Sequence, residues 1–206
     1  MIEINNENFI LVAGDVHSND QAFEILAQTA SQETCLGFIY TGDLDIENYF
    51  ISQAVRCRSF VFFPVQGNCD NRWSWTDTGL NLPLYRTCTF KGLQMFVSHG
   101  HMYWDPSSAG LDGTRFDMVI TGHSHVPDLH TEIIDGKRVI FLNPGSAARP
   151  RGGSKASYAL IRFSNNGSAR IEVRALDGDG LLSEETILAA DPGLRNITLF
   201  PSMISV

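Results

Sequence analysis

The first apolar run, Phe9-Ile10-Leu11-Val12-Ala13, has the length and branched content of a buried strand, and it stops at Gly14-Asp15. Polar residues follow until Asn19 or Asp20, either of which can cap an amphipathic stretch from Gln21 to about Ala30. The alternation then recurs. Leu36-Gly37-Phe38-Ile39-Tyr40 leads into Thr41-Gly42-Asp43, Asp45 can cap a helix from Ile46 to about Arg56, and a third apolar run covers Phe60 to Val65. Strands alternating with helices predict an α/β core with right-handed crossovers.

Later in the chain the pattern changes. Thr89 to Ser98 and Met118 to Thr121 read as strands, and two hairpin signals follow. Asp135-Gly136 separates Thr131–Ile134 from Arg138–Leu142, and Asn166-Gly167 separates Tyr158–Phe163 from Ala169–Val173. Both dipeptides suit the positive φ angles of a two-residue turn. Two sheets packed face to face with helices outside bury these elements most simply. After Leu176 the pattern weakens. Asp177-Gly178-Asp179-Gly180 is a turn-rich break before a modest helix candidate from Ser183 to Ala190, so residues 1–175 are expected to form the main domain and 176–206 an appendage of unassigned role.

The 206 residues include 15 basic and 23 acidic side chains, for a net charge of −8. The mean hydropathy is −0.06. No apolar run approaches the roughly 20 residues that span a bilayer, and Met1–Glu7 lacks the basic-then-apolar order of a signal peptide. A cytoplasmic protein without a membrane partner is the expectation. Cys35, Cys57, Cys69 and Cys88 form no CxxC pair, which argues against a disulfide framework or a thiolate zinc site. The acidic balance opposes an extended nucleic-acid footprint. A small phosphate ester stays compatible, because a bound metal reverses the local field.

Five of the six histidines fall in three glycine-flanked clusters: Gly14-Asp15-Val16-His17, Ser98-His99-Gly100-His101 and Gly122-His123-Ser124-His125. With Gly42-Asp43 and Gly67-Asn68-Cys69-Asp70, every polar cluster stands directly after an apolar run, where α/β sheets gather ligands at strand ends. Successive clusters lie roughly 24–31 residues apart, near the roughly 30 of one βαβ unit. Taken singly, Asp-x-His or Gly-Asp is ordinary turn chemistry, and Asn68 with Asp70 suits an Asx-turn. Taken together, imidazoles, carboxylates and an amide suit Mn, Fe, Zn, Co or Ni better than Ca or Cu(I). Seven such groups exceed the needs of one ion and fit two ions sharing a carboxylate, for which Asp43, with one oxygen for each ion, is the best candidate.

These residues resemble the calcineurin-like metallophosphoesterases, with their ordered D-x-H, GD, GN[HC][DE], H and GHxH motifs. Asn143-Pro144-Gly145-Ser146, Pro150-Arg151-Gly152-Gly153 and Ser157-Tyr158 are similar to the small single-domain phosphodiesterase branch. The resemblance implies a four-layered α/β/β/α sandwich of two mixed β-sheets flanked by helices. It also implies that Asp15, His17, Asp43 and His125 hold one metal and that Asp43, Asn68, His99 and His123 hold the other, with Asp43 bridging. Asn68 and His101 are the expected catalytic residues, and His101 orients a ligand or contacts substrate. The cofactors are two divalent ions, Mn2+ first, with Ni2+, Fe2+, Zn2+ and Co2+ compatible.

The function so implied is a binuclear-metal hydrolase of small phosphodiesters that works through a metal-bridging hydroxide. Where many members carry a leaving-group His, this chain has Cys69, and a general acid is typically worth about 10²–10⁴-fold. Arg72, Arg149 and Arg151 flank the motifs and are candidates for surface ion pairs or substrate contact. Trp73, Trp75, Tyr103 and Trp104 are candidates for core packing or a pocket wall. A non-catalytic metal-binding scaffold of the same fold and a phosphomonoesterase are the alternatives. A homo-oligomer is expected by analogy alone.

Overall fold

The computed structural model describes residues 7–45, 61–70, 82–165, 168–178 and 180–188. Its strands are β1 (Asn8–Ala13), β2 (Cys35–Tyr40), β3 (Phe62–Pro64), β4 (Tyr85–Phe90), β5 (Leu93–Ser98), β6 (Met118–Ile120), β7 (Pro127–Ile134), β8 (Lys137–Pro144), β9 (Ser157–Phe163), β10 (Ser168–Ala175) and β11 (Leu181–Leu188). The helix α1 (Asp20–Ala30) follows β1. The strands make a six-stranded sheet in the order β11-β10-β9-β1-β2-β3 and a five-stranded sheet in the order β4-β5-β6-β8-β7. Both sheets are mixed. β1, β2 and β3 are parallel, as are β5, β6 and β8. The other neighbours pair antiparallel.

Period-two alternation explains the packing. Ile10 and Val12 of β1 join Met95, Val97, Ile120, Ile140 and Ile161 in the core between the sheets. Phe9, Leu11 and Ala13 point the other way, against Phe23, Leu26 and Ala27 of α1. Burial on both faces is why Phe9–Ala13 is apolar throughout. α1 starts where Asn19 Oδ1 accepts the Ala22 N–H at 3.0 Å, so Asn19 is the cap.

Among the described residues, the expected helical flanking is seen on one side only. Outside the second sheet these residues form 3₁₀ turns at Ser107–Ala109 and Gly113–Arg115. Phe116 there packs with Phe96, Val119 and Val139. The helix expected over Ile46–Arg56 and the Asn166-Gly167 turn lie outside the described residues.

Two expectations are corrected. Thr89–Ser98 is no single strand but the hairpin of β4 and β5, in which Phe90 pairs with Leu93. Lys91 and Gly92 turn the chain with φ of 45° and 86°, the two left-handed positions that a tight hairpin needs. The helix expected at Ser183–Ala190 is instead the edge strand β11, with Ile171 of β10 opposite Glu185. The β10 edge supplies backbone partners that outweigh local helix propensity. No helix among the described residues is long and apolar enough to cross a membrane.

Candidate metal centre

Each predicted cluster begins within a few residues of a strand's carboxyl end, after β1, β2, β3, β5 and β6. Backbone bonds draw these ends together. Asp15 N–H donates to Gly42 O at 2.9 Å, and Gly122 N–H donates to His99 O at 3.0 Å. His99 Nδ1 reaches Thr41 O at 2.7 Å, crossing from the second sheet to the first. Close approach demands glycine at several points, two of them against the site carboxylates. A Cβ on Gly67 would collide with Asp43 Oδ1, and one on Gly122 would lie 2.9 Å from Asp15 Oδ2.

Asp15, His17, Asp43 and His125 are buried and each offer one ligand atom, all within 4.8 Å of one another. His125 Nε2 is 3.2 Å from Asp15 Oδ1 and 3.1 Å from His17 Nε2. Asp43 Oδ2 lies 3.7 Å from His17 Nε2 and 3.4 Å from His99 Nε2. Asn68 Oδ1 approaches His99 Nε2 at 3.1 Å. The His99 ring has those of His123 and His101 at 5.1 Å and 5.2 Å between centroids. Asp43 Oδ1 accepts the Cys69 N–H at 2.8 Å, while Oδ2 stands between His17 and His99.

The donor set fits a cation. A carbonyl only accepts, so the bonds from His125 Nδ1 to Arg149 O and from His99 Nδ1 to Thr41 O, both 2.7 Å, put a proton on each Nδ1. In the neutral rings each Nε2 then turns a bare lone pair toward carboxylate oxygen, the arrangement that metal-binding histidines adopt. Asp15 Oδ1 is buried with no hydrogen-bond partner among the described residues. Such a group is costly unless something positive meets it.

The titration behaviour agrees. Burial, aided by the Asp43 charge, pushes Asp15 up to about 7 against the pull of His99. Burial also works against ionisation of Asp43, but His99 and the Cys69 N–H overcome it and hold the carboxyl well below the usual range. His99 is raised, because Asp43 and Asp15 outweigh its burial. Burial lowers His17, His101, His123 and His125.

Backbone strain marks the same residues. Asp15, His17, Asp43, His123 and His125 have φ of 53°, 47°, 55°, 69° and 60°. Left-handed conformations are uncommon outside glycine and gather where function holds them.

Three residues that sequence reasoning named only as parts of motifs act as braces. Asp70 accepts the N–H groups of Asp43 (2.9 Å), Leu44 (2.9 Å), Asp45 (3.1 Å) and Gly67 (2.8 Å), tying the loops after β2 and β3 together. The bond to Gly67 runs back three residues and so differs from the Asx-turn expected there, which joins a side chain to the N–H two residues on. Asn143 Nδ2 donates to Gly122 O at 2.7 Å, and Ser146 Oγ donates to Asp15 O at 2.7 Å. Short polar residues after an apolar strand were the available signal. His101 Nδ1 is buried without a partner among the described residues. Tyr103 packs edge-on to Tyr85, whereas Trp104 is 65% exposed. Arg72, Trp73 and Trp75 lie outside the described residues.

Comparison with known proteins places this geometry. A family model, the calcineurin-like phosphoesterase superfamily domain, matches residues 9–166. Phosphodiesterase YfcE of Escherichia coli (strain K12) is 23% identical over 167 residues, which cover 74% of this chain and 86% of that protein. A solved structure of a conserved Streptococcus pneumoniae TIGR4 protein has a TM-score of 0.68 at 19% identity, covering 90% of this chain and 99% of the other. The E. coli YfcE structure gives 0.67 at 21%, covering 86% and 98%. Vacuolar protein sorting 29 of Cryptosporidium parvum gives 0.63 at 20%, covering 88% and 98%. The structural likenesses show a shared fold. With a family match across most of its length and a buried cluster suited to divalent metal, the chain belongs to the calcineurin-like phosphoesterase superfamily and is a metal-dependent phosphoesterase.

Proposed function

We propose that the chain hydrolyses small phosphodiesters at a centre of two divalent cations, Mn2+ first among them. Asp15, His17, Asp43 and His125 hold one ion, and Asp43, Asn68, His99 and His123 hold the other. The observation that carries this reading is the position of Asp43 Oδ2, 3.7 Å from His17 Nε2 and 3.4 Å from His99 Nε2. The cations supply neutralisation of the phosphate oxygens and a water acidic enough to act as nucleophile near neutral pH. The chain's own groups do the rest. Bonds from Thr41 O and Arg149 O aim His99 and His125, the Cys69 N–H fixes Asp43, and His101, beside His99 and His123, contacts the substrate. Residues 1–175 carry this unit.

The test is metal analysis of the purified protein, followed by turnover of bis-p-nitrophenyl phosphate and of p-nitrophenyl phosphate with added Mn2+. Faster diester turnover is expected. A faster monoester reaction identifies a monoesterase, and absence of both metal and turnover identifies a scaffold. Asp43→Ala should lower diester turnover by more than about 100-fold while far-ultraviolet circular dichroism stays unchanged. Full turnover in that variant would place the site elsewhere.

A further inference from the structure

The segment after β8 brings two arginines beside the centre, and among the described residues neither side chain has a partner. Ser146 Oγ accepts the Arg149 N–H at 2.7 Å, and Arg149 O receives His125 Nδ1 at 2.7 Å. Arg151 N–H donates to His125 O at 3.1 Å, and Ser154 Oγ closes the turn on Arg151 O at 2.7 Å. Both arginine backbones are therefore pinned to one site histidine. Both side chains are exposed.

Most other cations among the described residues behave differently. Lys137, Arg138, Lys155, Arg162, Arg170 and Arg174 each pair with a carboxylate, Arg86 donates to Pro64 O and Lys91 lies over the Phe163 ring. Acidic groups outnumber basic ones, 23 to 15, so partners are not scarce. Among the described residues, none stands opposite Arg149 or Arg151. The bonds to His125 set both residues beside the centre. A simple diester offers one anionic group, which the metal ligands already serve, so the two guanidiniums suit a second anionic group on the same substrate.

We infer that Arg149 and Arg151 form a subsite for a second phosphoryl group, so that the preferred substrates are phosphodiesters whose other arm carries a phosphate. This rests on the hydrolase reading above and adds the substrate class to it. The guanidinium fork suits phosphate oxygens, and charge-assisted bonds of this kind are the strong ones.

The test compares thymidine 5′-(p-nitrophenyl phosphate) with its 3′-phosphorylated form, using the Mn2+-loaded full chain. The two share the scissile phosphorus and the leaving group. The extra phosphate should lower KM by about tenfold, chiefly at low salt because salt screens exposed charges. In Arg149→Gln/Arg151→Gln the ratio of the two kcat/KM values should fall to about one, whereas Arg115→Gln, near the opposite end of β6, should keep it. Equal kcat/KM values in the unaltered protein, or an undiminished ratio in the double variant, would overturn the inference. If neither ester is turned over, the hydrolase reading fails instead. The subsite is then read by calorimetry with thymidine 3′,5′-bisphosphate against thymidine 5′-phosphate. Equal affinities would overturn it, and a preference lost in the double variant would uphold it.

Discussion

Replacing Asp70 by asparagine tests whether the centre is held by its bracing as well as by its ligands. The carboxylate is buried and accepts four backbone N–H groups, two on each oxygen: Leu44 and Asp45 on Oδ1, Asp43 and Gly67 on Oδ2. Asparagine keeps the shape and one oxygen, but turns an amide against two donors. The cheaper orientation faces Leu44 and Asp45, since Asp45 is exposed and its N–H can turn to water. One buried donor is then orphaned, and the remaining bonds lose their charge. Unmade buried bonds cost about 1–3 kcal/mol each, so a loss of about 3 kcal/mol is expected. At about 2–4 °C per kcal/mol for a domain of this size, Tm should fall by roughly 6–12 °C. Scanning calorimetry in EDTA reads this without metal. Because the same loop carries Asp43, the Mn2+ affinity of the folded variant should also fall by about 10–100-fold. A Tm within about 2 °C of the parent together with unchanged Mn2+ affinity would refute the bracing argument.

Two further outcomes follow from other parts of the molecule. Glu172, 3% exposed, has Arg170 and Arg174 at 2.9 Å and Arg162 at 3.3 Å. Breaking a buried pair costs about 3–5 kcal/mol, so Glu172→Ala should move the urea midpoint down with the slope unchanged, and an unmoved midpoint would show the cluster to be solvated. Cys69→His restores an imidazole beside Asn68, where the exposed thiol is now pushed up to about 11 by burial and by Asp43. It should help alkyl esters more than p-nitrophenyl esters by at least about tenfold; equal effects would mean that position 69 does not serve the leaving group.

What the chain determined locally is where chemistry begins. β1 and β2 are buried on both faces, so they read as unbroken apolar runs, and the residue that follows must leave the sheet. Asp15, His17, Asp43 and His125, which the fold gathers within 4.8 Å of one another, were legible as polar clusters directly after apolar runs. The Asp135-Gly136 turn was legible for a similar reason, with φ of 49° and 81°. Tertiary structure alone decided the remainder. β11 is a strand because β10 offers it an edge, and the 3₁₀ turns cover the second sheet because Phe96 and Val119 need cover. Asp70, Asn143 and Ser146 are short polar residues whose meaning depends on which N–H or carbonyl a distant segment presents. A ligand's identity is written in its own side chain, whereas a brace is defined by its partner, and the partner arrives only when the chain folds.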